Sequence, residues 1–278
     1  MGKNAMLLLG GGMSSVYTAG FLSCLIELNI YPEIILATSG NAGTAFYYAT
    51  KNGNAKEIGK KIWVDELSSN KFLNKKRKPV IDIDYLVDFL FKKKYPLDIS
   101  KLKSEEGLEV IVSSNKFETG ELKFFSSKQS DDLFEILKAT KALPYFYNKK
   151  IKINNENYID LNPFFPIQTY LEFLKQKDIK NLIIINNGVK FEKYFKNLFI
   201  KFFVLCFFIF GLKIKVAIRM VRNIIKRQYI NFDGQFLLFE NKDQASLDNN
   251  HDNLDKIYQK GYNNCKENIS KIKKLYNL

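Results

Sequence analysis

Ala5-Met6-Leu7-Leu8-Leu9 is an unbroken apolar run that stops at three glycines, Gly10-Gly11-Gly12. A short continuous run bounded by glycine predicts a strand buried on both faces. From Ser15 to Leu28, Val16, Ala19, Phe21, Leu22, Leu25 and Ile26 recur near helical spacing, so a helix follows. Pro32 then precedes a second buried run, Ile34-Ile35-Leu36, which ends in the small residues Ala37-Thr38-Ser39-Gly40. Two parallel strands joined through a helix cross over right-handed, which sets the ends of both strands side by side. Gly10–Gly12 and Ser39 are therefore expected to form one site.

The pattern continues in the same style. A polar helical stretch is expected over Ala55 to Leu67, and Lys75-Lys76-Arg77-Lys78-Pro79 reads as a basic loop. Leu108 to Val112 and Glu121 to Phe125 read as a hairpin turning through Glu118-Thr119-Gly120. Leu133 to Leu143 is expected to be helical and to stop at Pro144. Ile151 to Ile153 and Tyr158-Ile159 flank the turn-forming cluster Asn154 to Asn157, with Asp160 at the exit of the second strand. A helix from Pro166 to Lys175 leads to a last buried run at Asn181 to Ile185. Strands alternating with helices predict a three-layer α/β/α fold around a doubly wound, mostly parallel sheet. Three regions follow from this reading: a catalytic α/β domain over 1–190, a basic apolar helical lid or membrane-contact segment over 191–230, and a C-terminal strand and helix over 231–278 that complete the fold.

Composition narrows the setting. The chain has 278 residues, of which 46% are hydrophobic, enough for a sizeable core. Its three cysteines, Cys24, Cys206 and Cys265, are far apart and lack metal-ligand spacing, which points to a reducing compartment with neither disulfide framework nor metal site. The short apolar run near the start is below the length of a signal-peptide core, and Met6 stands where a myristoylation motif wants Ser or Thr. A cytoplasmic protein is expected.

The chemistry concentrates in few residues. Ser39 sits where a strand turns sharply into a helix, as a serine nucleophile does, or as a serine that caps the following helix does. The amides of Gly10, Gly11 and Gly12 suit a developing oxyanion, or any anion at a helix N-terminus. A dinucleotide fingerprint would need glycine at Ser15. His251 is the only histidine, and it lies in the polar stretch Asp248 to Asn253. The order Ser39, Asp160, His251 fits a triad, whereas a bystander His251 leaves Asp160 as the best-placed base.

These segments together resemble the bacterial patatin-like phospholipases. Leu9 to Met13 with Val16 to Gly20 matches that family's oxyanion segment, Thr38-Ser39 its nucleophile, and Lys138 to Pro144 the stretch before its catalytic aspartate. Ile81 to Leu86 and Leu254 to Tyr262 also fall at similar stretches, so the resemblance runs from about Ala5 to about Cys265. It implies a patatin-type fold and lipid acyl-ester hydrolysis by a Ser39–Asp160 dyad. Gly10, Gly11 and Gly12 would form the oxyanion hole, with no metal or organic cofactor. The chain departs from the family at Ser14 and Ser15 in place of arginine and glycine, at Ala37 and Asn41 in place of the elbow glycines, and at Leu161 in place of glycine after the aspartate. A catalytically degenerate, membrane-binding homologue and a triad esterase are the alternatives these departures keep open.

The net charge is +14, with lysines spread along the chain. Residues 193–227 add a local feature: nine Lys or Arg and no acidic residue. Leu198 to Leu212 is apolar but for Lys201 and Gly211, and at about 15 residues is shorter than the roughly 20 of a membrane span. Lys215, Arg219, Arg222 and Lys226 follow at helical spacing, opposite Ala217, Ile218, Val221 and Ile225. This pattern predicts peripheral contact with an anionic membrane or a lid, with a marginal membrane-inserted span as the lesser alternative, rather than nucleic-acid binding.

Overall fold

The computed structural model describes residues 2–51, 54–104, 107–187, 211–225, 229–243 and 245–278. Its centre is an eight-stranded sheet of β1 (Lys3–Leu9), β2 (Ile34–Thr38), β3 (Glu109–Lys116), β4 (Leu122–Ser126), β5 (Ile151–Ile153), β6 (Glu156–Ile159), β7 (Ile179–Asn186) and β8 (Gln235–Glu240). The order is β5-β6-β3-β2-β1-β7-β8, with β4 also paired to β3. β3, β2, β1, β7 and β8 run parallel, while β4 and the β5–β6 hairpin join antiparallel at one side. The sheet is thus wound outward from β1 in both directions, and a crevice at the carboxyl ends of its strands is where such sheets place their sites.

Alternation decides the layers, because successive side chains of a strand point to opposite faces. Met6, Leu8, Ile35, Ala37, Ile183 and Ile185 belong to the larger core cluster. Ala5, Leu7, Ile34, Leu36, Leu182 and Ile184 belong to the smaller one. Both sets are buried, which is why the strands read as continuous apolar runs. The larger core is closed by helices α1 (Val16–Glu27), α2 (Asn41–Ala49), α3 (Ala55–Lys60), α4 (Ile99–Lys103) and α5 (Leu133–Ala139). The smaller is closed by α6 (Ile167–Lys175). α7 (Ile214–Ile225), α8 (His251–Glu267) and α9 (Ile269–Tyr276) follow. The fold is the expected three-layer α/β/α arrangement.

α1 carries the glycine turn and is fixed by α8. A Cβ on Gly20 would lie 1.9 Å from the Tyr258 carbonyl oxygen, and one on Gly261 would lie 2.0 Å from that of Tyr17. The two helices touch backbone to backbone there, an approach only glycine permits.

Two expectations need correction. The helix expected over Ala55 to Leu67 is α-helical only to Lys60 and continues as a π-helix over Lys61–Glu66, and a second π-helix, Tyr85–Lys94, has no counterpart in the sequence reading. The helix expected to reach Leu143 ends at Ala139, because Thr140 and Lys141 turn away to bond Ser39. α7 buries Val216, Met220 and Asn223 and leaves Ile218 48% exposed. The apolar run up to Phe210 and Lys226 lie outside the described residues.

Candidate active site

β1 and β2 pair in parallel with Leu8 opposite Ala37, so the glycine turn and Ser39 emerge as neighbours. They are then locked together. The Gly10 N–H donates to Thr38 Oγ1 at 2.8 Å, and a Cβ on Gly10 would lie 2.7 Å from that of Ser39. Gly12 has φ of +59°, in the left-handed region, and a Cβ there would meet the Ser246 carbonyl at 2.5 Å. The turn is pinned from the far side, since Met13 N–H donates to the Ser246 carbonyl at 3.2 Å and Ala245 N–H to Ser14 Oγ at 3.0 Å. Among the described residues no acceptor meets the Gly11 or Gly12 N–H.

Ser39 has φ of +50°, a left-handed conformation that a non-glycine residue adopts only when its surroundings impose it. The restraints come from one segment. Ser39 N–H donates to Thr140 Oγ1 at 2.9 Å, and Lys141 Nζ donates to the Ser39 carbonyl at 2.9 Å. The side chain of Ser39 is half-buried, and its hydroxyl is near enough to the Asp160 carboxylate to pull that group's pKa down. α2 begins directly after Gly40, so the positive end of a helix stands beside the hydroxyl.

Asp160 is 1% exposed. Its backbone N–H donates to the Ala142 carbonyl at 2.9 Å. Its Oδ1 accepts from Asn162 N–H at 3.0 Å and from Asn162 Nδ2 at 2.9 Å. Asn162 is itself held by Ser113 Oγ at 2.6 Å and by the Tyr170 hydroxyl at 3.1 Å. Burial pushes the Asp160 carboxyl up to about 6, against the opposing pull of Ser39, Asn162 and Lys141. Burial likewise pulls the Lys141 ammonium down to about 7, with the Asp160 charge resisting.

The departures from the family pattern are accommodated in this packing. Leu161 has φ of −116°, so no glycine is needed after the aspartate, and its side chain is fully buried with Phe117, Phe164, Val216 and Met220. Asn41 lies inside the first turn of α2 with its Oδ1 3.4 Å from Asn187 Nδ2. Ala37 is fully buried within β2, and Ser14 holds the loop before α8. His251 stands elsewhere: it is exposed, and its ring nitrogens contact Asp65 at 3.2 Å and Asp252 at 3.3 Å. Thr140 and Lys141 were visible in the sequence only as part of a resembling stretch, and nothing in their residue types announced their contact with Ser39.

A narrow apolar cavity, walled by Leu22, Tyr47, Trp63, Leu86 and Phe91, runs up to Gly40 and Lys141. It holds about 20 Å³ of water-sized space, room for little more than one water. Both π-helices contribute to its wall through Trp63, Leu86 and Phe91. Among the described residues, no group of three or more His, Cys, Asp or Glu could hold a metal ion. Among the same residues, no helix is long and apolar enough to cross a membrane.

The model of the patatin-like phospholipase family matches residues 6–160, which carry the glycine turn, Ser39 and Asp160. The chain belongs to the patatin-like phospholipase family. No curated protein matches it. Among solved structures it is similar to VipD from Legionella pneumophila, with 12% identity, a TM-score of 0.52, and 96% of this chain and 66% of that chain covered. The chain thus spans just under two thirds of the VipD chain, and that likeness carries the patatin fold. Membership supports lipid acyl hydrolysis at the level of the family.

Proposed function

We propose that the protein hydrolyses acyl esters of membrane lipids with Ser39 as nucleophile and Asp160 as general base. The observation that carries this reading is a serine held at positive φ by the Thr140–Ala142 segment, which also binds the backbone of the buried Asp160. Asp160 takes the hydroxyl proton as Ser39 Oγ attacks the ester carbonyl, forming a tetrahedral oxyanion. The oxyanion is received by the N–H groups of Gly11 and Gly12, which meet no acceptor among the described residues, while Gly10, whose N–H is held by Thr38, sets the turn's position. Collapse breaks the ester bond, and the proton on Asp160 passes to the leaving alcohol. Water deprotonated by Asp160 then attacks the acyl-serine and releases the fatty acid. No step calls for a metal or organic cofactor. The apolar cavity beside Gly40 takes the acyl chain once Phe91 and Trp63 move aside.

The lipid surface is reached through α7. Val216 and Met220 pack it against Leu161 and Phe164, immediately after Asp160. Lys213, Lys215, Arg219 and Arg222 face outward with Ile214 and Ile218, a pattern suited to an anionic bilayer. The protein would then be a cytoplasmic enzyme bound peripherally to membranes. Acyl release from phospholipid vesicles with and without anionic lipid tests both halves. Wild type should release fatty acid and bind anionic vesicles preferentially, and Ser39→Ala should bind but release none. Release by Ser39→Ala would overturn the nucleophile, and equal binding to neutral vesicles would overturn the electrostatic contact.

A further inference from the structure

One three-residue segment touches both members of the proposed dyad. Thr140 Oγ1 accepts from the Ser39 N–H, Lys141 Nζ donates to the Ser39 carbonyl, and the Ala142 carbonyl accepts from the Asp160 N–H, each at 2.9 Å. Both ends of the Ser39 residue are thereby held, and the aspartate strand is tied to the same backbone.

Lys141 does more than a neutral clamp could. It is 8% exposed, and a buried ammonium carries a solvation cost that a methionine of similar shape would avoid. The groups that face Asp160 are the Ser39 hydroxyl, the Asn162 backbone and amide N–H, the Tyr170 phenol and Lys141. Lys141 is the only cation among them, and among the described residues Asp160 is the only charged group acting on Lys141.

We infer that Lys141 is a positioning residue of the hydrolase, fixing the Ser39 peptide in its left-handed turn and keeping Asp160 ionised so that it can serve as base. This rests on the Ser39–Asp160 reading. The sign of the electrostatic part follows from the carboxyl's position. Asp160 can accept a proton only when ionised, so turnover climbs as pH rises through its pKa near 6. Removing the neighbouring cation raises that pKa, and the acidic limb moves to higher pH.

The test is kcat/KM for ester hydrolysis across the pH range in wild type, Lys141→Met and Lys141→Arg, with Ser39→Ala as the blank. Lys141→Met should shift the acidic limb upward by about one pH unit or more, and Lys141→Arg should return it toward wild type. A uniform loss at every pH with the limb in place, or no change at all, would overturn the inference. Should Lys141→Met not fold, NMR titration of ¹³C-lysine-labelled wild type and Asp160→Asn decides instead. The Lys141 amine should titrate lower in Asp160→Asn, and an unchanged titration would contradict the pairing. Activity in the Ser39→Ala blank would remove the dyad reading alone, since the NMR titration still reports whether Lys141 and Asp160 are coupled.

Discussion

Asp160 and His251 are both groups able to take a proton near neutral pH, and they stand in opposite surroundings. Contacts with Asp252 and Asp65 raise the His251 pKa, but the ring is exposed and its partners are exposed as well. Asp160 is buried at the end of β6, raised to about 6 by desolvation, and locked by Asn162 with Ser39 as its neighbour. In water His251 would be the better base of the two. In the proposed dyad that order is reversed, because Asp160 has the candidate nucleophile, fixed geometry and a dry environment. On that reading placement selects the base, and intrinsic pKa does not.

Substitutions can break this contrast in order of their expected effect. Asp160→Asn should be the most damaging, lowering kcat by about 10²–10⁴-fold, the range a positioned general base contributes. Steady-state ester hydrolysis reads it, and near-normal kcat would move the base elsewhere. Thr140→Val removes the acceptor of the Ser39 N–H and leaves the elbow less constrained. Its kcat should fall about tenfold, less than the roughly hundredfold cost of a 1 Å misplacement, and an unchanged kcat would make the clamp dispensable. His251→Ala should leave kcat as it is and alter stability by less than about 0.5 kcal/mol, as exposed sites do. Loss of turnover in that variant, measured against its thermal unfolding, would restore the triad.

How far the molecule was legible in its sequence differs between these regions. β1, β2 and β7 were readable because a strand buried on both faces is apolar at every position, and the parallel crossover then placed Gly10–Gly12 beside Ser39. Asp160 was singled out by its position at a strand end, and it lies buried directly after β6. The clamp was not readable: Thr140 and Lys141 close a helix with ordinary polar residues, and their partner lies about a hundred positions earlier. The π-helices escaped because their wider turn does not follow the 3.6-residue period that marks an α-helix. On α7, the spacing set Ala217, Ile218, Val221 and Ile225 opposite the basic residues but gave no sign that Val216 and Met220 would pack against Leu161 and Phe164. Leu161 read as a defect beside the aspartate, yet its backbone sits at negative φ and its side chain supplies the seat for α7.

The most direct test of the account is covalent labelling with an active-site fluorophosphonate, mapped by mass spectrometry on folded protein. Wild type should carry the label on Ser39, His251→Ala should label equally fast, and Asp160→Asn should label far more slowly. A folded wild-type protein left unlabelled, or labelled at a serine other than Ser39, would contradict the account.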